Sequence, residues 1–563
     1  MIASLPPGFI LILGGLLAPL VPGRVRPAYM LTLPVLGFIQ LLNLDPGQYG
    51  LIEFFTYTLV HVRVDKLSLA FGYIFYIATL LALIYALHVR DPVQQVAGLI
   101  YPGSAIGAVF AGDLITLFVY WELTAISSVF LIWARRNDRA FRAGMRYVII
   151  QVGSGTLLLA GAIVQVQETG SIAFDYLGLS GLAGTLIFLA FGVKCAFPLL
   201  HNWLQDSYPE ATVTGTVFLS AFTTKLAVYA LARGFPGTEM LIWIGATMTV
   251  FPIFYAVIEN DLRRVLAYSL NNQVGFMVVG IGIGTEMALN GAVSHAFAHI
   301  LYKALLFMSM GAVLFRTGTI NGSELGGLYK SMPWTTGFCI VGAASISAFP
   351  LFSGFISKSM ILTAAAAEGH WITWLALLFA SAGVFHHSGI KIPFFAFFAH
   401  DSGIRCKEAP MNMLIAMGAA AFLCVALGVY PQPLYDILPF PVNYEPYTVP
   451  HVVNMLQLLM WSALAFVFLQ RTGLYPPELK SVNLDIDWFY RRFLLRLTKQ
   501  FAALTSRAHM RFMTRIENSL QRLIAGVFRH HGPEGVLART WPTGSTVLWV
   551  AVLLSLYLLV YFL

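Results

Sequence analysis

The chain has 563 residues, of which 58% are hydrophobic and 11% are charged, whereas soluble globular proteins carry roughly 25% charged residues. This composition excludes a soluble core with a single anchor and predicts a polytopic membrane protein. The formal net charge of +8 does not indicate a nucleic-acid surface, because the cations lie in short loops between apolar segments.

Apolar segments recur along the whole chain, and their length favours spanning helices over the ~10-residue alternating strands of a membrane barrel. The first segment lacks a preceding basic region, so we interpret it as a span and not as a cleaved signal. The sequence predicts an all-α fold of about 14–16 transmembrane helices. The segments are residues 8–22, 29–43, 66–88, 93–112, 113–134, 142–166, 179–200, 211–233, 238–258, 262–284, 288–315, 336–364, 370–400, 411–430, 451–470 and 543–563.

When the sides of the membrane are alternated along these spans, the cations fall mostly in one set of loops, and the opposite set holds only Arg63, Lys66 and Arg233. Cytoplasmic loops are rich in Lys and Arg. The asymmetry therefore predicts an N-terminus outside a prokaryotic plasma or inner membrane.

A segment of different character, DWFYRRFLLRLTKQFAALTSRAHMRFMTRIENSLQRLIAGVFRHH, precedes the last span. Apolar and basic residues alternate at helical spacing, and Gly526 is its first Gly or Pro. We predict an amphipathic helix on the order of 60 Å long that lies along the cytoplasmic surface. Two interpretations remain open: the helix binds lipid, or it binds a partner subunit or braces this one.

The spans contain one clear carboxylate, Glu122, and five lysines. Charged groups inside a membrane are costly and usually functional, and burial disfavours the charged form of a lysine. We therefore predict a proton relay in which Glu122 is a switchable counter-charge. The alternatives are lysines that reach the headgroups from helix ends and a fixed ion pair at Glu122. The lysines are Lys194, Lys225, Lys303, Lys358 and, with weaker support, Lys391.

The stretch SHAFAHILYKALLF places His295, His299 and Lys303 four residues apart, on one face of a helix. Histidine titrates near neutral pH and passes protons through its two nitrogens, which fits the relay. A structural histidine pair and a zinc site are the alternatives, but no Glu or Cys accompanies the pair on this face. We predict no metal.

Helix breakers interrupt two spans. Pro198 interrupts the seventh span, and Pro350 and Gly354 interrupt the twelfth. Transporters place such breaks at corresponding positions of two inverted halves. The five-span offset between the breaks predicts two inverted repeats of five helices each.

Six regions follow from this pattern. We expect N-terminal spans with an outer loop, two five-helix repeats, further spans, the surface helix and a final span. Their predicted bounds are 1–92, 93–233, 238–400, 401–480, 481–542 and 543–563.

The ordered stretches VYWELTAISS, KCAFPLLHNWLQDSYPEA, DLRRVLAYSLNNQVGFM, SHAFAHILYKALLF and FPLFSGFISKSMI resemble the antiporter-like family of Mrp-type sodium/proton antiporters and the proton-pumping membrane subunits of respiratory complex I. The resemblance covers about residues 60–430. The segment GIKIPFFAFFAHDSGIRCKEAPMNM is most similar to the D-type subunits of the Mrp antiporters. The surface helix and final span resemble the lateral helix of the largest antiporter-like subunit of complex I.

The resemblance implies that Glu122 pairs with Lys194, that Lys225 or Lys303 carries the central relay, and that Lys358 is the terminal position. Lys391 has no counterpart to carry over. The chain departs from the family where WLQDSY, residues 203–208, replaces the usual WLPDAH, which affects the cytoplasmic entry after span seven.

The sequence therefore predicts an ion-translocating subunit of a larger membrane complex that moves protons, in exchange for sodium. The alternatives are a proton-pumping subunit of a complex I-like or hydrogenase complex, a subunit for proton-coupled inorganic carbon uptake, a non-conducting scaffold and a membrane enzyme. The sequence carries no iron–sulfur cysteine cluster, phosphate loop or dinucleotide turn, so we predict no cofactor. The expected partners are other membrane subunits and lipid, not nucleic acid.

Overall fold

The computed structural model describes residues 5–55, 57–480, 483 and 485–563, and all structural statements concern these residues. The chain divides into two compact units, Met1–Asn483 and Leu484–Leu563. The predicted division into six regions remains a prediction.

The first unit contains twenty α-helices and one hairpin within the described residues. The helices are α1 (Phe9–Leu17), α2 (Arg26–Leu42), α3 (Lys66–Tyr85), α4 (Pro92–Phe110), α5 (Leu114–Trp133), α6 (Asp138–Thr169), α7 (Gly181–Cys195), α8 (Asn202–Ser207), α9 (Gly215–Ala221), α10 (Thr223–Gly234), α11 (Glu239–Ile258), α12 (Leu262–Ile283), α13 (Glu286–Thr317), α14 (Pro333–Ile346), α15 (Ser353–Ala367), α16 (Trp371–Val384), α17 (Lys391–Pro393), α18 (Met411–Val429), α19 (Gln432–Tyr435) and α20 (Val449–Thr472). Two π-helical segments, Phe385–Ile390 and Phe394–Phe398, flank α17. Short 3₁₀ turns occupy Ala18–Leu20, Tyr208–Glu210, Gly322–Glu324 and Leu328–Lys330.

Twelve helices of the described chain are long and apolar enough to cross a membrane. Three shorter apolar helices, Phe9–Leu20, Arg26–Leu42 and Gly181–Cys195, accompany them. The pair α14 and α15 together fill the remaining predicted segment. The polytopic helical fold is therefore confirmed.

The sequence did not lead us to expect a β-hairpin after α2. Strand β1 (Gly47–Phe54) pairs antiparallel with β2 (Tyr57–Val64). The hairpin is fixed to the start of α5, because the Val60 N–H donates to Asp113 Oδ2 at 2.8 Å and the Gly112 N–H donates to the Val60 carbonyl at 2.9 Å.

The two halves of the first unit repeat the same local structure. Helices α6 and α13 each have 32 residues, and α5 and α12 each begin after a capping aspartate, Asp113 and Asp261. Each aspartate forms an antiparallel bridge with the segment that follows its 32-residue helix, at Ala173 and Asn321. Because the repeats are offset by five spans, an odd number, corresponding helices cross the membrane in opposite directions.

The two halves also share one kind of helix break. Helix α7 ends at CAFPL, residues 195–199, and α14 is followed by SAFPL, residues 347–351. In each motif the alanine and leucine have positive φ: 63° and 70° at Ala196 and Leu199, 58° and 72° at Ala348 and Leu351. Left-handed backbone at residues other than glycine is strained and clusters at functional sites. When the two motifs are aligned, the breaks fall at equivalent positions and Ile346 takes the position of Lys194.

The second unit contains a π-helical segment (Phe489–Phe493), the long helix α21 (Leu494–His531) and the final helix α22 (Thr543–Phe562). Helix α21 has 38 residues, which corresponds to about 57 Å. Neither helix contributes a buried residue. The predicted surface helix and final span exist as helices, and their binding partner stays an open prediction.

Candidate functional site

All five predicted lysines lie inside the first unit. Each of them has a relative exposure of 0%. A side chain that reaches the headgroups must expose its amine at the protein surface, so the headgroup interpretation is wrong for these lysines. They are Lys194, Lys225, Lys303, Lys358 and Lys391.

Lys194, at the end of α7, contacts α5 beside Glu122. Its ammonium donates to the Trp121 carbonyl at 2.6 Å and to Thr124 Oγ1 at 2.8 Å, and it lies 4.3 Å from the centroid of the Trp121 ring. The positive charge is therefore held by a carbonyl dipole, a hydroxyl and an aromatic face. These contacts orient the amine at the break without neutralising it.

Glu122 is an electrostatic neighbour of Lys194, but no ion pair shorter than 4 Å joins them in the described structure. Glu122 Oε1 is buried and accepts no hydrogen bond. Gly155 on α6 makes room for it, since a Cβ there would lie 1.4 Å from Oε1. A buried carboxylate oxygen without a donor is costly. The arrangement differs from the fixed ion pair that we considered for Glu122.

Lys225 lies just after a break in the eighth span, between α9 and α10. Its ammonium donates to the Ser220 carbonyl at 2.5 Å, across the break. The Tyr101 hydroxyl also supports the break, because it accepts from the Thr223 N–H at 3.0 Å. Lys225 is thus bound by a freed backbone carbonyl and not by a carboxylate.

Helix α13 carries the predicted histidine face. His295 Nδ1 lies 3.0 Å from Ser357 Oγ, and its Nε2 lies 3.4 Å from the Tyr302 hydroxyl. The His299 ring centroid lies 6.2 Å from that of His295, and neither His299 nitrogen has a hydrogen-bond partner. Lys303 Nζ is likewise buried without a partner. Unpaired buried donors are costly, so this face is a buried polar cluster that its protein neighbours leave partly unsatisfied.

Lys358 and Lys391 complete the set in the second half. The Lys358 ammonium donates to the Ile346 carbonyl at 2.7 Å and lies 5.0 Å from the centroid of the Phe276 ring. Lys391 alone among the five lysines forms an ion pair in the described chain, with Glu478 Oε1 at 2.9 Å. The predicted excess of buried ammonium groups over partner carboxylates is therefore present.

His387 is a candidate site residue that our sequence reasoning missed. It lies in the π-helical segment before α17, fully buried, and it is an electrostatic neighbour of Lys303, Lys391 and Lys358. Its Nδ1 lies 2.9 Å from Ser388 Oγ, and its Nε2 has no partner. The signal was present, because His387 precedes Lys391 by four residues, as His299 precedes Lys303.

The buried groups form two electrostatic sets, the Glu122 and Lys194 pair and a longer set that runs from Lys225 to Lys391. Glu122 neighbours Lys194, and Lys225 neighbours His295 and His299 electrostatically. Lys303 and Lys358 follow, and His387 links them to Lys391. No cluster of three or more metal-ligating side chains occurs within the described residues.

Comparison with known protein sequences shows which family the chain resembles. The family model of the NADH:quinone oxidoreductase/Mrp antiporter transmembrane region matches residues 111–386. The D-type subunit of a Na(+)/H(+) antiporter from Alkalihalophilus pseudofirmus is 30% identical over an alignment of 354 positions that covers 59% of this chain and 71% of the relative. Hydrogenase-4 component B of Escherichia coli is 27% identical over an alignment of 383 positions that covers 59% of this chain and 55% of the relative.

A solved structure matches nearly the whole chain. One chain of the membrane-bound sulfane sulfur reductase, an archaeal respiratory membrane complex, aligns with a TM-score of 0.72 and 22% identity. The alignment covers 98% of this chain and 99% of that chain. At this identity the likeness shows the fold, which includes counterparts of both units.

Proposed function

This chain belongs to the NADH:quinone oxidoreductase/Mrp antiporter transmembrane family, and we propose that it moves protons through its buried lysine and histidine side chains as one subunit of a multi-subunit membrane complex. The observation that carries the proposal is the excess of buried amines over carboxylates. Four of the five buried lysines have no ion pair within the described residues. Such groups bind and release protons readily, because burial favours the neutral amine.

The proposed path begins at the Glu122 and Lys194 pair. Protonation of Lys194 is favoured while Glu122 is ionised, because opposite charges attract more strongly inside a protein than in bulk water. Movement of the Lys194 amine away from the Trp121 carbonyl would allow it to pass its proton on toward Lys225. The breaks after α7 and between α9 and α10 allow this, since freed carbonyls can exchange one donor for another.

The central part of the path runs through Lys225 and the histidine face of α13. His295 lies between a serine hydroxyl and a tyrosine hydroxyl, so both of its nitrogens have partners that can give or take a proton. Each arrival of positive charge at Lys303 or Lys358 lowers the proton affinity of its neighbours. Lys358, beside the second break, is the proposed terminal group.

Two coupling partners fit this site. Sodium exchange is supported by the similarity to the D-type subunit of a Na(+)/H(+) antiporter. Proton pumping in a complex I-like or hydrogenase-type assembly is supported by hydrogenase-4 component B and by the near-complete fold match to a respiratory membrane complex. We propose a prokaryotic cell membrane with the N-terminus outside, from the loop cations.

Proton movement in everted vesicles that contain the whole complex tests the proposal. Lys194→Ala and Glu122→Gln should abolish proton exchange, with and without sodium, while the complex still assembles. Lys407→Met, which removes an exposed lysine, is the matched control and should behave as wild type. Wild-type exchange in assembled Lys194→Ala complexes would favour a non-conducting scaffold.

A further inference from the structure

Lys391 lies in a compact set of oxygen atoms at the C-terminal end of α11. Its ammonium contacts the carbonyl oxygens of Ala256 at 3.2 Å, Val257 at 2.6 Å and Glu259 at 2.7 Å. The fourth contact is Glu478 Oε1 at 2.9 Å. These four oxygens are called the oxygen cage below. None of the other four buried lysines has more than two oxygen contacts in the described structure.

The oxygen cage has the chemistry of a site for a dehydrated monovalent cation. In membrane transporters, helix C-terminal ends and unwound carbonyls coordinate such ions, because the C-terminal end of a helix carries partial negative charge. One carboxylate balances one positive charge. The cage is filled by the tethered ammonium of Lys391, which is itself a compact point charge.

The segment that carries Lys391 is built to move. Helix α17 has three residues and is flanked on both sides by π-helical turns. Such turns are rare in proteins overall, but those that occur are often at functional sites. Gly389, two residues before the lysine, packs directly against the second helix break, since a Cβ there would lie 2.4 Å from Ser347 Oγ. A shift of the break that Lys358 spans would therefore displace the segment that carries Lys391.

The fourth ligand comes from a surface segment. After α20, residues 473–480 form a strap in which Glu478 points inward with 7% of its side chain exposed, while Leu479 and Lys480 are exposed. Stacking of Tyr475 on His386, with ring centroids 5.6 Å apart, holds the strap down. Lifting the strap would open the cage to solvent and remove the carboxylate at the same time.

Few charged or titratable groups surround Lys391. Glu478 on the strap and Glu259 after α11 favour a cation, and His386 and His387 lie on its own segment. The Glu259 carboxylate also accepts from Asn483 at 3.0 Å and lies 3.9 Å from Arg264. Burial raises the pKa of Glu478 above its ordinary value. Acidification therefore protonates Glu478 and weakens the binding of any cation by the oxygen cage.

We infer that the oxygen cage is a site for an alkali-metal cation, Na⁺ or K⁺, and that the Lys391 ammonium competes with this cation for the same oxygens. When Lys391 releases its proton and withdraws, the cation takes its place and the net charge of the cage is conserved. One proton then leaves for each cation that enters, which is the requirement of an exchanger. The inference rests on the proposed function and specifies where the cation is held.

Equilibrium binding of radiolabelled Na⁺ and K⁺ to the full-length chain in its complex, reconstituted in nanodiscs, tests this site. Wild type should bind one of the two ions. Its affinity should fall about tenfold for each unit by which the pH is lowered, over the range in which the Lys391 ammonium competes with the ion. Lys391→Met should bind the ion more tightly at neutral pH and lose affinity only in acid, where Glu478 takes up a proton. Glu478→Gln should weaken binding about 30-fold or more.

Two further variants keep the result interpretable. Glu445→Gln removes an exposed carboxylate and should bind as wild type. Lys391→Gln retains a donor for the three carbonyls, so it replaces Lys391→Met if that variant does not assemble. Binding of neither ion by wild type, or wild-type affinity in Glu478→Gln, overturns the inference. If binding is absent while Lys194-dependent proton movement persists, the cage fails and the proposed function stands.

Discussion

The Lys358 ammonium donates to the carbonyl oxygen of Ile346 across the break between α14 and α15, at 2.7 Å. Ile346 occupies the position in the second repeat that Lys194 occupies in the first, one residue before the five-residue break motif. One half therefore places its lysine before the break and the other half places it after the break. In both cases the amine binds a backbone carbonyl, and for Lys358 this carbonyl lies at a helix end, where the helix dipole stabilises the charge.

The second break depends on close contact at Gly354, at the start of α15. A Cβ at Gly354 would lie 1.9 Å from the Ser345 carbonyl oxygen, so Gly354→Ala should push α15 away from α14 and destabilise the fold by about 1–3 kcal/mol. Lys358 would lose its contact with Ile346, and proton movement should fall with it. Thermal unfolding and vesicle assays measure the two effects.

Gly337→Ala is the matched control for Gly354→Ala. Gly337 lies within α14, and a Cβ there meets nothing within 4 Å, so alanine should stabilise the helix slightly. Equal melting temperatures for the two variants would show that the contact at Ser345 is not important.

The room that Gly155 leaves for Glu122 gives a second prediction. Gly155→Ala should displace the carboxylate, because a Cβ would coincide with Oε1. Proton movement should then fall toward the level of Glu122→Gln. Gly153→Ala, two residues earlier on an open face of the same helix, should leave transport intact. Full transport by Gly155→Ala would mean that Glu122 functions equally well in another position.

Asp65 supports a pH-dependent contact between α3 and α10. Burial acts to raise the pKa of Asp65, but the Arg233 guanidinium, the Ser68 N–H and Arg63 together outweigh it and hold this pKa below its ordinary value of 3.8. The contact therefore contributes stability above about pH 4, and this contribution is lost as the pH falls through the folded-state pKa. Arg233 Nη2 donates to both carboxylate oxygens, at 2.9 and 2.8 Å.

Asp65→Asn should lower the melting temperature at neutral pH, with a loss of about 1–2 kcal/mol because the Asp65 side chain is 33% exposed. The difference from wild type should shrink as the pH falls through the folded-state pKa of Asp65. Asp175→Asn is the control. It breaks a pair with Arg63 in which the aspartate side chain is 61% exposed, and such surface pairs contribute little. An Asp65→Asn difference that persists undiminished in acid would contradict the assignment.

His387 gives the fourth prediction, because the longer set of buried groups passes through it in the second half. His387→Gln should reduce proton movement about tenfold or more and change its pH profile, while the complex still assembles. His370→Gln, at the partly exposed start of α16, should retain both the rate and the profile. A reduced rate with an unaltered pH profile would indicate a packing role for His387.

Local sequence was sufficient for several features. The segments of low charge predicted the spans, and Pro198 and Pro350 marked two of the helix breaks in the described structure, although the break between α9 and α10 was not predicted. The four-residue spacing of His295, His299 and Lys303 correctly predicted a shared helix face. These features follow from helical periodicity and from backbone chemistry, which act over a few residues.

Contacts between distant residues could not be predicted in this way. The β-hairpin was missed because its alternating strand TLVHVRV is short and lies between two apolar segments. Lys391 and Glu478 are 87 positions apart, and no pattern along the chain relates them. The parallel between His387 with Lys391 and His299 with Lys303 was visible, but only burial shows that both pairs belong to one set.

The amino-acid sequence by itself determined that this chain is a multi-span helical membrane protein with more lysines than carboxylates in its spans, because apolar length and charge content are properties of local sequence. Only the tertiary structure decided which oxygen atoms hold each ammonium group. Those partners come from other helices and from the strap, and packing alone brings them within hydrogen-bond distance. A buried charge is stabilised by the atoms around it in space, not by its neighbours along the chain.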